Sequence, residues 1–123
     1  MLENSKAFSG FAVDDLAKAQ AFYGETLGLN TSEANGLVTL HLAGGRDTLV
    51  YPKEDHTPAT YTILNFPVAD VEATVDALLA RGVRFERYDG MEQDEKGVSH
   101  GEGPLIAWFT DPAGNILSII QDE

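Results

Sequence analysis

The chain repeats itself. Phe11, Val13, Asp15 and Leu16 of the segment FAVDDL return in the second half as Phe66, Val68, Asp70 and Val71 of FPVADV. Each copy runs into an amphipathic stretch that ends in a glycine and an aliphatic residue, Gly28-Leu29 in the first and Gly82-Val83 in the second. Neither copy is long enough to close a core alone, so the repeat implies two similar units about a pseudo-twofold axis, with a ligand cavity expected where they meet. The 123 residues suit one domain that buries about two thirds of its unfolded surface. The expected division is module one over residues 5–52, a linker over 53–60 and module two over 61–121.

Composition removes several kinds of chemistry. There is no cysteine, which excludes disulfides, thiolate metal sites and cysteine nucleophiles. Apolar runs are short and no basic segment precedes one at the N-terminus, so neither a membrane span nor a secretory signal is expected and the location expected is cytoplasmic. The formal charge of −12 repels phosphate backbones and anionic lipid, so nucleic acid and membrane are not expected partners. That acidity serves solubility, or it lines a groove that attracts a cationic ligand; sequence leaves both open.

The order of elements reads as strand, helix, three strands, twice over. Residues 6–13 alternate and stop at Asp14-Asp15, where an aspartate can cap the following helix. Leu16, Ala19, Phe22, Tyr23 and Leu27 then recur at helical spacing, and Gly28 ends the run. Strands over 29–33 and 36–42 flank Asn35-Gly36, a strong hairpin signal. A glycine turn, Gly44-Gly45, leads into a strand over 48–51. In the second unit, 61–68 reads as a strand and 70–81 as a helix with Val71, Val75, Leu78 and Leu79 inward. A short strand over 84–88 precedes a polar loop over 89–103, of a length typical of segments bordering a binding site. Strands over 105–110 and 115–121 close the unit around Asp111-Pro112-Ala113-Gly114.

The paired strand-helix units, the aspartate-leucine pair followed by Phe22-Tyr23 and Leu27-Gly28-Leu29, and the Asp111-Pro112-x-Gly114-Asn115 turn before the last strand resemble the glyoxalase, bleomycin-resistance and extradiol-dioxygenase (vicinal oxygen chelate) superfamily. The resemblance covers nearly the whole chain. It implies an α+β fold of two βαβββ modules whose curved sheets wrap around a ligand pocket, often completed in a homodimer.

Metal-dependent members of that superfamily direct one His, Glu or Gln into the pocket from the first and last strand of each module, because an open divalent site needs converging nitrogen or oxygen donors. By resemblance the first-strand positions, seven residues before the Asp that opens each helix, are Phe8 and Ile63. The last-strand positions are Val50 and Ser118. None of the four suits a catalytic metal, and slipping each by one or two residues brings in no histidine or carboxylate, so a register error does not restore the set. No metal and no other cofactor is therefore expected.

Strand parity puts Phe8, Gly10, Ala12, Val50, Ile63, Asn65, Ser118 and Ile120 on the pocket face, with Thr39 and His41. Asn65 and Ser118 can fix a ligand's orientation by hydrogen bonds. Trp108, the only tryptophan, is either a stacking wall or core, and Tyr51 and Tyr88 pose the same choice. His41 is either a hydrogen-bond partner or general base, or a half-exposed rim residue. His56 reads as a solvated linker residue. His100 and Glu102 form an H-x-E that reads as a solvated loop or, less simply, as two metal ligands.

Two functions follow. In the first, Phe8, His41, Val50, Ile63, Asn65, Trp108 and Ser118 line a metal-independent site that sequesters a cationic or aromatic small molecule. In the second, the chain is a lyase, isomerase or dioxygenase-like enzyme using His41 or a relocated metal site; proton abstraction beside a carbonyl needs such a base and a stabiliser for the enolate, and the sequence offers only the base.

Overall fold

In the computed structural model, residues 1–101 and 103–122 are described. They divide into two compact units, Met1–Thr57 and a second beginning at Pro58, a division that falls inside the proline-containing segment expected to link the modules.

In the first unit, strand β1 (Ser9–Val13) leads into helix α1 (Leu16–Ala21), followed by β2 (Asn30–Ala34), β3 (Leu37–Leu42) and β4 (Arg46–Pro52). Asp15 caps α1 from an extended backbone, its carboxylate accepting from the Lys18 N–H at 3.0 Å and satisfying a donor the helix leaves unpaired. The stretch expected to continue as α-helix widens instead into a π-helical turn over Phe22–Thr26. The wider turn is closed by the Leu27 N–H donating to the Phe22 carbonyl, five residues back, at 2.9 Å. Gly28, at φ +74°, ends the run in the left-handed region that a side chain resists.

The sheet has the order β1-β4-β3-β2, with β1 parallel to β4 and the other pairs antiparallel. Asn35 and Gly36 both carry positive φ, 55° and 75°, the pairing that matches hairpin twist, and the turn fixes the register Ala34↔Leu37 through Asn30↔His41. Phe11, Val13, Val38, Leu40, Thr48 and Val50 are buried with Ala19 and Tyr23 of the helical segment, and the Phe11 ring sits 5.6 Å from that of Tyr23.

The second unit repeats the plan with β5 (Thr62–Val68), α2 (Val71–Ala80), β6 (Ile106–Thr110) and β7 (Ile116–Gln121) in the order β5-β7-β6, β5 lying parallel to β7. Asp70 caps α2 as Asp15 caps α1, accepting from the Ala73 N–H at 3.0 Å. The repeat in sequence is thus a repeat of strand, cap and helix.

Two expectations change here. The strand expected over 84–88 shrinks to a single bridge, Phe85 opposite Phe109, with 86–88 outside any ladder before the turn at 89–90. Leu79 is 42% exposed while Val71, Val75 and Leu78 are buried, since the helical stripe is only wide enough for one of two consecutive leucines. Each unit thus carries its own sheet, four-stranded in the first and three-stranded in the second.

Candidate functional site

Lateral register decides which side chains share a face. In the second unit Asn65 lies beside Ser118, and Ser118 beside Trp108, so the three form one row across β5, β7 and β6. Leu64, Phe66, Leu117, Ile119, Ala107 and Phe109 take the alternate positions, and α2 packs against β6 and β7. The sequence parity of Asn65, Ser118 and Trp108 therefore brings them together on the helix-free face.

Ser118 is fully buried, and its hydroxyl donates to Asn65 Oδ1 at 2.5 Å. That bond engages the oxygen of the amide and leaves the Nδ2 donors of Asn65, an exposed residue, uncommitted. Ser118 positions the amide; Asn65 is the group that can meet a ligand.

Trp108 is half-buried, and Tyr88 stands edge-on to it at 5.6 Å and 76°, a favourable aromatic geometry. Burial, and then the charge of Glu86, push the Tyr88 phenol up, so it stays a neutral donor. The Glu86 N–H donates to the Trp108 carbonyl at 2.7 Å, which keeps the segment bearing Tyr88 alongside β6.

Gln93 was not foreseen as part of this arrangement. Its Oε1 accepts from the Tyr88 N–H at 2.8 Å, and its Nε2 donates to the carbonyls of Glu86 and Gly97 at 3.0 and 2.7 Å. One amide thus ties the loop over 89–103 to the segment behind the aromatic pair. A glutamine in a polar loop gives no advance signal of this role.

Ile63 falls where the β5–β7 register shifts between Thr62 and Leu64. The bulge breaks the alternation that assigned its face, and puts Thr62, opposite Ile116, on the Asn65 side.

In the first unit the helix-free face carries Gly10, Ala12, Thr39, His41, Leu49 and Tyr51. Phe8, just before β1, is 69% exposed. Val50, expected on the ligand face, is not there: it lies in register with both Phe11 and Val38 and is fully buried on the helix side, one residue out of phase with the expectation. Leu49 and Tyr51 are its neighbours on the open face.

His41 does stand on that face, in the row Asn30–His41–Asp47. Its Nε2 is 2.8 Å from Ser32 Oγ and its Nδ1 is 3.1 Å from Asp47 Oδ1. The Asn-Gly hairpin, read for register, would have placed Ser32 diagonal to His41 in advance.

A separate open groove of about 540 Å³ runs between the first unit's helical segment and β2, bordered by Ala17, Gln20, Glu25, Leu29 and Thr31. It contains none of the residues selected from sequence.

A family model described as the Glyoxalase/Bleomycin resistance protein/Dioxygenase superfamily matches residues 8–119. The chain belongs to that superfamily. Solved structures share its fold. A glyoxalase family protein from Enterococcus faecalis aligns with TM-score 0.71 at 19% identity, over 98% of this chain and 99% of its own. The antibiotic-binding protein TnmS3 from Streptomyces sp. CB03234 aligns with TM-score 0.68 at 22% identity, over 98% of each chain. The fosfomycin resistance protein FosX from Listeria monocytogenes gives 0.72 at 15% identity, over 98% of this chain and 94% of its own. None of the curated proteins matches this chain in sequence.

The superfamily's strand-borne metal set does not fit these residues. Phe8, Val50 and Ile63 offer no donor atom, and the Ser118 hydroxyl is committed to Asn65. Among the described residues, one group presents three converging ligand atoms: Glu72, Asp94 and His100, at the start of α2 and in the loop rather than on the strands. Here His100 Nε2 lies 2.8 Å from Asp94 Oδ2 and 4.0 Å from Glu72 Oε1. Burial alone would raise the Asp94 carboxyl, but hydrogen bonds from His100 and from the Val98 and Lys96 N–H groups outweigh it and hold the carboxyl below the ordinary range. Glu102, the other half of the H-x-E, lies outside the described residues.

Proposed function

We propose that this chain is a metal-independent small-molecule-binding protein that sequesters a planar aromatic or cationic compound in the cytoplasm, acting as a homodimer. The observation that carries the reading is the row Asn65–Ser118–Trp108 with Tyr88 against the indole. It offers an aromatic wall beside an exposed amide whose N–H groups are uncommitted, the combination that fixes a planar molecule carrying a carbonyl acceptor. The charge of −12 favours ligands with a basic group. In the first unit Phe8, Tyr51 and His41 are exposed and Val50 contributes only to packing. Antibiotic binding, as TnmS3 is described, supports the small-molecule-binding part of this reading.

Because Trp108 is the only tryptophan, its emission reports on this site alone. Titrating planar aromatics and cationic glycopeptides, with parallel calorimetry and with chelator present, is expected to quench that emission at the stoichiometry the heat gives. Trp108→Leu should weaken the ligand about two- to tenfold, the worth of one aromatic contact. Silence across the panel in both measurements, or binding that chelator abolishes, would defeat the reading.

A further inference from the structure

We propose that Ser32, His41 and Asp47 form a nucleophilic relay that takes an acyl group from small activated esters, an activity independent of the binding function above. The three side chains come from β2, β3 and β4 and meet on the helix-free face of the first sheet. A carboxylate can only accept, so the 3.1 Å contact makes His41 Nδ1 the protonated nitrogen. In the neutral imidazole Nε2 is then the bare acceptor, and the 2.8 Å contact takes the proton of the Ser32 hydroxyl. Nucleophile, base and orienting acid thus stand in the sequence of contacts that activates a serine.

Both joints are open to solvent, with the His41 side chain 44% and the Asp47 side chain 55% exposed, so a small ester reaches Ser32 without rearrangement. Thr39 is the direct cross-strand neighbour of Ser32, and Asn30 precedes it by two on the same face. Their hydroxyl and amide are the polar groups placed to meet a developing oxyanion. In the step, Ser32 Oγ bonds to the carbonyl carbon as its proton passes to His41 Nε2. The ester C–O bond breaks, and the leaving oxygen takes that proton. Water then attacks the acyl-serine, its proton passing through His41 to Ser32 Oγ, and the acid is released. The sum is ester plus water giving acid plus alcohol. Ser32 and His41 are catalytic residues in this scheme, and Asp47 is a positioning residue.

The test uses the whole chain, a fluorophosphonate probe with the adduct mapped by peptide mass spectrometry, and p-nitrophenyl acetate turnover. The expected adduct sits on Ser32, disappears in Ser32→Ala and forms at least about tenfold more slowly in His41→Ala. Asp47→Asn should slow labelling and displace its pH profile, with Asp47→Glu restoring part of the rate, neither of which a merely structural carboxylate would do. Thermal unfolding confirms that each variant folds, and Ser32→Thr covers a failure of Ser32→Ala. No adduct on Ser32, labelling confined to lysine or histidine, or a Ser32 rate indifferent to His41 would overturn the proposal.

Discussion

Asp111 shows how much one side chain can organise. It is buried, its Oδ1 accepts from the N–H groups of Ala113 and Asn115 at 3.0 and 2.9 Å, and its Oδ2 accepts from Asn115 Nδ2 at 3.0 Å. Gly114, at φ +88°, completes the turn that sets the β6–β7 register and hence the row of Trp108, Ser118 and Asn65. Asp111→Ala strands buried donors and should cost about 2–3 kcal/mol; Asp111→Asn should cost less, because it keeps one acceptor. Urea denaturation of the two variants checks both the size and the order. Residues of this kind were legible, since the Asp-Pro-x-Gly-Asn run has few other uses. Val50 was not: its phase rested on resemblance alone, and a one-residue slip reverses a strand's faces. His41 was legible as a side chain on the open face, but its contacts to Ser32 and Asp47 required cross-strand register.

At the level of elements, strands and helices announced themselves through caps and glycines, whereas the loop over 89–103 did not. It has no periodicity to read, and its order comes from single contacts: the Gln93 amide, Lys96 to Asp76 on α2 at 2.7 Å, and Asp94 to the Lys96 and Val98 N–H groups and to His100. Gly97 belongs to the same design, for a Cβ there would come within 3.3 Å of Phe85 Cβ at φ +89°. Asp94 gives the loop a pH signature. Its folded carboxyl titrates below the unfolded one, so its stabilising contribution is complete above the ordinary aspartate range and is lost as pH falls through the depressed value. The Lys96 and Val98 amide resonances should therefore report the Asp94 titration at lower pH than an aspartate in the unfolded chain. In Asp94→Asn they should be displaced already at pH 7, with about 1 kcal/mol of stability lost. Amide shifts that follow the same curve in both proteins would show that Asp94 does not organise this loop.

For the molecule as a whole, duplication was the most legible property because it is written twice: Asp15 and Asp70 both cap, Phe11 and Phe66 both precede their helices on the first strand, and both first strands lie parallel to the last strand of their unit. Among the described residues no helix is long and apolar enough to cross a membrane. What duplication cannot convey is how charge is shared, and the excess of 20 acidic over 8 basic residues acts on stability and on binding in opposite senses. Added salt screens the self-repulsion of the folded chain, so the denaturation midpoint should rise between about 10 and 150 mM sodium chloride, by the equivalent of about 1 kcal/mol. The same screening should weaken a cationic ligand while leaving a neutral planar one nearly unchanged. Measuring both ligands across that salt range, beside the unfolding midpoint, separates field from contact. If the cation's affinity does not fall as the midpoint rises, the acidity serves solubility alone, and recognition rests on Trp108, Tyr88 and Asn65.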